Sequence, residues 1–261
     1  MSDDIVDSRG GSWRDGLRSL RHAAEFRLRL LKGEAPPDAH APPLRLFLAE
    51  TAHVLAPVAR ALRPPLPVEP AEDPRVAILF PGFAANPESM KYMARQLERA
   101  GHKVKRWGLG TNMGPTPENF DMLARRVQAV RERYGQQVVL IGWSLGGVFA
   151  REVAKVHPEC VAKVITMGTP FSHTPYSNNL WRIYQFAAGH RVEELPIEAE
   201  LAEKPPVETV AFWSPRDGAI SRRSACGQPG ERDRAVALRC THMGFCNSGE
   251  AILALLEELR R

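Results

Sequence analysis

Residues 138–152, VVLIGWSLGGVFARE, join an apolar run to a helical pattern with no loop between them. The run lacks polar alternation, so it predicts a strand buried on both faces, as in a parallel sheet. The pattern that follows starts a helix at once. Only a tight turn can make that junction, and Gly142, Ser144 and Gly146 set it. The central residue takes strained backbone geometry, and side chains two positions away on either side would collide with the strand and the helix. Such a chain must build a strand–turn–helix unit whose Ser144 hydroxyl stands clear of the sheet.

The rest of residues 75–261 repeats this alternation. Strands are expected at VAILF (76–80), HKVKRWGL, QVVLIGW, VAKVITMG, VETVAFWS and AVALRC. Helices are expected at 87–100, 118–134, 145–156 and 248–260. Strands separated by helices predict an α/β fold with a mostly parallel central sheet flanked by helices. Residues 171–205 break the rhythm. They are long for a crossover, and a helix predicted over 178–188 carries Leu180, Trp181, Ile183, Tyr184 and Phe186. This interval is expected to be a small helical cap or lid over the strand ends, the alternative being a long surface crossover.

Residues 1–74 differ. Trp13, Leu17, Leu20, Ala24, Leu28 and Leu31 fall at helical spacing among basic residues, a second helix is expected over 44–62, and RPPLPVEPAEDP reads as an extended Pro-rich linker. The expected organisation is therefore an N-terminal helical extension and linker (1–74) before a catalytic domain (75–261). Residues 13–32 hold six basic and two acidic side chains, which suits an anionic interface, but residues 1–74 together hold 10 basic and 11 acidic ones. Packing on the domain or on a second subunit is the preferred reading, with peripheral membrane contact as the rival.

The net charge of +5 is mild for 261 residues, and no basic run is interleaved with aromatics, so nucleic acid is not an expected partner. The opening MSDDIVDSRGGS has no apolar core and no 18-residue apolar run follows, so neither a secretory signal nor a transmembrane helix is expected, and a cytoplasmic location is. None of the four cysteines forms a CxxC pair. A Cys226–Cys240 bridge and reduced thiols are both open, the second preferred.

A serine hydroxyl needs a base, and the base needs an orienting group. In strand–turn–helix sites of this kind the acid follows the serine and the histidine follows the acid. Asp217, in SPRDGAI, ends a predicted strand. Of eight histidines only His242, in THMGF, lies beyond it. The amide of Leu145 and that of Phe83, in the turn after the first strand, are the expected oxyanion donors.

The ordered set LFPGF, GWSLGG, GTPF, SPRDGAI and THMGF resembles the α/β-hydrolase superfamily, its lipase and esterase branch in particular, over about residues 75–261. The resemblance implies Ser144 as nucleophile, His242 as general base and acid, and Asp217 as its partner. Trp143 stands where many lipases have His, and residues 1–70 match no motif of the family. The expected activity is hydrolysis of a small-molecule or lipid carboxylic ester through an acyl-enzyme, with no metal or organic cofactor. Trp143, Phe171, Trp181, Tyr184 and Phe186 are expected around the substrate. Amidase, thioesterase and acyltransferase activities could use the same triad, and a membrane- or partner-docking protein built on the N-terminal basic helix is the alternative of another class.

Overall fold

The computed structural model describes residues 10–55, 58 and 64–261. Its centre is one sheet of six strands, β1 (Val76–Phe80), β2 (Lys103–Arg106), β3 (Val138–Trp143), β4 (Val161–Met167), β5 (Glu208–Trp213) and β6 (Arg234–Ala237). The spatial order is β2-β1-β3-β4-β5-β6, and every pairing is parallel. The order reverses between β1 and β3, the place where the loops at neighbouring strand ends diverge and leave a crevice.

The helices are α1 (Gly10–Leu31), α2 (Leu44–Ala49), α3 (Lys91–Arg99), α4 (Pro117–Tyr134), α5 (Leu145–Val156), α6 (Trp181–Ala188), α7 (Arg222–Cys226) and α8 (Gly249–Arg260). Alternation along the central strands sends successive side chains to opposite faces. Ala77, Leu79, Val139, Ile141, Ile165 and Met167 meet Met93 and Leu97 of α3 and Ile252 and Leu255 of α8. Val76, Ile78, Phe80, Val138, Leu140 and Val164 meet Leu123 and Val127 of α4 and Phe149 and Val153 of α5. Two covered faces explain why β1 and β3 are apolar throughout.

The N-terminal region follows the expected pattern only in part. α1 forms, but Leu20 and Leu28 of the predicted apolar face are exposed, and the helix buries Leu30 instead. Its end meets α6, where Gln185 Nε2 donates to the Leu30 carbonyl at 3.1 Å. The side chains of Trp13 and Leu17 lie outside the described residues. The expected helix over 44–62 is α2 followed by a 3₁₀ segment, Glu50–Leu55; most of its remainder also lies outside the described residues. The Pro-rich stretch is extended and packs along the domain, with Ala71 N–H donating to the Ala100 carbonyl at 2.8 Å and Arg99 reaching the Leu66 carbonyl.

Arg151 of α5, fully buried, anchors the far end of the 171–205 excursion and the turn before β6. Its guanidinium donates to the carbonyls of Glu203 at 2.9 Å and Glu231 at 3.1 Å, and stacks over the Phe171 ring at 4.2 Å. Burial pulls its pKa down to about 10, which leaves it charged at neutral pH.

All four cysteines are free, so the Cys226–Cys240 bridge is not formed. Gly147 of α5 packs against the loop after β4, where an added Cβ would lie 2.0 Å from Thr169 Oγ1. Gly147→Ala should therefore lower unfolding free energy by about 1–3 kcal/mol, the usual cost of overpacking, read from urea denaturation midpoints.

Candidate functional site

Ser144 sits between β3 and α5 with φ 54° and ψ −126°, a left-handed conformation that costs a non-glycine residue about 1–3 kcal/mol. Its neighbours hold it there. Ser144 N–H donates to the Met167 carbonyl on β4 at 2.8 Å, and Gly147 N–H donates to the Ser144 carbonyl at 3.0 Å. An added Cβ on Gly146 would lie 2.2 Å from the Phe80 carbonyl oxygen, and one on Gly142 would lie 2.3 Å from Gly147 Cα. The glycines are required because strand, turn and helix touch through backbone.

Asp217 and His242 come together from loops after β5 and β6. His242 Nδ1 and Asp217 Oδ2 are 2.8 Å apart, and both residues are buried. The other carboxylate oxygen, Oδ1, accepts the Ala219 and Ile220 N–H groups at 2.9 and 2.8 Å, which aims Oδ2 at the ring. The Ser214 hydroxyl ties the two loops by donating to the Cys240 carbonyl at 2.6 Å. Below the pair lies Gly168, with φ 56°, where an added Cβ would fall 2.8 Å from Asp217 Oδ2 and 3.0 Å from His242 Nδ1.

Ser144 and His242 line one open cavity of about 340 Å³ together with Gly82, Phe83, Trp143 and Met243. A second, narrower cavity of about 60 Å³ runs from Ser144, Phe83 and Leu145 beneath Trp181, Tyr184, Leu195 and Leu201. Its lining is almost wholly apolar. The turn after β1 passes against the serine, since a Cβ on Gly82 would lie 3.1 Å from Ser144 Cβ. Phe83 of that turn meets Tyr184 edge-on, ring centroids 5.3 Å apart.

The model of the α/β hydrolase fold matches residues 76–192, which carry the turn after β1, the serine elbow and much of the 171–205 excursion. Residues 76–192 of this chain are thus similar to the α/β hydrolase fold family. Over 97 residues it is 32% identical to the pimeloyl-[acyl-carrier protein] methyl ester esterase of Edwardsiella ictaluri, a match covering 36% of each protein. The chain thus spans about a third of the length of that curated relative. Among solved structures, a Bacillus licheniformis lipase in its mature form superposes with a TM-score of 0.52 at 14% identity, covering 74% of this chain and 96% of the lipase. The 2-hydroxy-6-oxo-6-phenylhexa-2,4-dienoate hydrolase of Rhodococcus sp. strain RHA1 gives 0.54 at 14% identity, covering 72% of this chain and 91% of that one. At such identities the superpositions speak for the fold.

Within this fold the residues singled out by sequence divide. Ser144, Leu145, Phe83, Trp181 and Tyr184 surround the apolar cavity, and Trp143 and His242 flank the open one. Trp143 Nε1 donates to the His242 carbonyl at 3.1 Å, so this indole helps to place the histidine loop. Two expected substrate residues lie elsewhere. Phe171 is buried beneath the Arg151 guanidinium, and Phe186, on the outer side of α6, is 39% exposed and lines neither cavity. The excursion turns only Trp181 and Tyr184 of its aromatic helix residues inward.

Sequence reasoning missed Asn112 and Glu50. Asn112, buried in the loop GLGTNMGPTP, donates from Nδ2 to the Pro81 carbonyl at 2.7 Å and accepts Ala84 N–H on its own carbonyl at 2.7 Å, pinning the turn that carries Phe83. An Asn in a Gly/Pro-rich loop looks like an ordinary turn former, so nothing marks it in sequence. Glu50 reaches the site from the N-terminal region and accepts the His242 N–H at 2.7 Å. Among the described residues no group of three or more His, Cys, Asp and Glu is placed to hold a metal ion.

Burial pulls the His242 pKa down, but the charge of Asp217, its hydrogen bond and the charge of Glu50 together outweigh burial and hold it above the ordinary 6.5. A raised value in the folded state stabilises the fold fully below pH 6.5, and that contribution is lost as pH rises through the raised value. NMR titration of the imidazole should accordingly give a midpoint above 6.5 in the wild type and a lower one in Asp217→Asn. The fall of the urea midpoint as pH rises from 6.5 through the raised value should flatten in the variant.

Proposed function

We propose that this protein is a carboxylic-ester hydrolase working through Ser144, His242 and Asp217. The observation that carries the reading is the convergence of a strained serine, a buried Asp217–His242 pair and an apolar cavity at one end of a parallel sheet. With Nδ1 engaged by Asp217, the imidazole presents Nε2 as the base. It takes the proton as Ser144 Oγ attacks the acyl carbonyl, and Asp217 stabilises the imidazolium that results. The N–H groups of Phe83 and Leu145 receive the oxyanion, the second from the first turn of α5. His242 then protonates the leaving alcohol, and water attacks the acyl-enzyme with His242 again as base.

The narrow apolar cavity favours a modest acyl group, with residues 171–205 as its lid. The curated relative's name specifies the methyl ester of a pimeloyl-[acyl-carrier protein], and a short-alcohol ester fits a serine set between a narrow apolar cavity and a wider one. A panel of p-nitrophenyl esters of graded chain length, run beside amide and thioester analogues, tests the class. Ester turnover should dominate and fall by about 10⁴-fold or more in Ser144→Ala, since removal of a nucleophile leaves only binding and oxyanion stabilisation. Trp181→Ala should shift the preferred chain towards longer acyl groups. An unchanged profile would remove the lid assignment, and amide turnover exceeding ester turnover would change the class.

One observation favours a second role for α1. Leu20 and Leu28, two turns apart on one face, are exposed beside Arg21 and Arg27, which suits peripheral contact with an anionic lipid surface. The full chain should float with anionic vesicles and not with zwitterionic ones, and Leu20→Ser with Leu28→Ser should abolish flotation. Concentration-dependent dimerisation without flotation would assign the face to a second copy instead.

A further inference from the structure

We propose that Glu50 is a positioning residue for this site, a buried carboxylate from the N-terminal segment that clamps the Asp217 loop to the His242 loop. The inference rests on the hydrolase reading above and adds to it a residue outside the hydrolase motifs. Glu50 Oε1 accepts the Gly218 N–H at 2.9 Å and the His242 N–H at 2.7 Å, while Oε2 accepts the Met243 N–H at 2.9 Å. Three backbone donors converge on one side chain that is only 9% exposed. A carboxylate, acceptor-only when ionised, matches three donors with no partner left over. Each donor sits within one residue of Asp217 or His242, so a shift of Glu50 moves both members of the pair.

The segment that carries Glu50 is fitted to the acid loop. A Cβ on Gly218 would lie 2.3 Å from the Leu46 carbonyl carbon and 2.5 Å from Phe47 N, so α2 approaches through backbone contact. Asn179 Nδ2 donates to the carbonyls of both Pro42 and Gly218, at 3.0 and 2.8 Å, and joins the strap to the excursion before α6. His40 N–H donates to the Ser177 hydroxyl at 3.1 Å. Residues 40–50 therefore hold both catalytic loops from outside the sheet.

Glu50 also acts through charge. Two anions bear on the imidazole, Asp217 from its own loop and Glu50 from the strap, while Ser144, Trp143 and Phe245 beside it are neutral. Since the base works as neutral imidazole, removing one anion should move the acidic limb of kcat/KM to lower pH. A residue that merely stabilises the fold would leave that limb unmoved.

The test compares kcat, KM and pH profiles of the full chain and its Glu50→Ala, Glu50→Gln and Glu50→Asp variants on a p-nitrophenyl ester. Glu50→Ala should lose kcat by about 10²-fold with KM nearly constant, because sub-ångström misplacement of the base acts on the chemical step. Glu50→Gln should lose less and shift the acidic limb downward. Glu50→Asp, shorter but charged, should lower kcat while keeping the limb in place. Folded Gln and Ala variants with wild-type kcat and an unmoved limb would overturn the proposal. If no variant folds, hydrogen exchange on the wild type decides, since clamped amides at 218, 242 and 243 exchange slowly and rapid exchange there removes the clamp. Absence of Ser144-dependent turnover in the wild type would instead sink the hydrolase reading, a result distinct from either.

Discussion

The bend at Ser144 depends on two backbone segments meeting with nothing between them. β3 must stop, reverse into α5 and leave a hydroxyl at the rim, and the helix must still touch the neighbouring strand ends. Contact between the Gly146 backbone and the Phe80 carbonyl makes this geometry available. It also brings the end of β1 beside the serine, so the turn bearing Phe83 arrives at the same place. Strand reversal at β1/β3 supplies the crevice, and the elbow sets Ser144 in it.

Around that bend the molecule arranges loops from four strand ends. Each is held by a different device: Asn112 for the turn after β1, the Met167 carbonyl for the elbow, the Ala219 and Ile220 amides for the Asp217 loop, and Trp143 for the His242 loop. These restraints are hydrogen bonds to backbone, worth about 0.5–1.5 kcal/mol each in net stability but costly to leave unmade when buried. Their common effect is on direction, since together they determine where two side chains point.

The sheet was legible because its strands are buried on both faces and its helices are amphipathic, so pattern and structure share one cause. VAILF is β1 residue for residue, and the 145–156 helix is α5. The serine, the acid and the histidine could be singled out because their order and their strand-end positions follow from the same topology. Partners that hold them were harder to see. Asn112 and Glu50 act on backbone amides and carbonyls far away in sequence, and backbone groups carry no residue identity to match. The α1 face misled for a related reason: spacing identifies an apolar side but not whether anything lies against it, and Leu20 and Leu28 are exposed while Leu30, beside α6, is buried. Phe171 and Phe186 show the same limit, since an aromatic run says nothing of which rings turn inward.

The bonds from Glu50 to Gly218 and His242 span 168 and 192 residues. Contacts of that length form late, after the entropy of closing very long loops has been met, whereas the elbow is local and can form as soon as β3 and α5 exist. The serine corner can thus be in place before the His242 loop is. If Ser144 and His242 act together as proposed, they do so only once stretches this far apart in sequence have met.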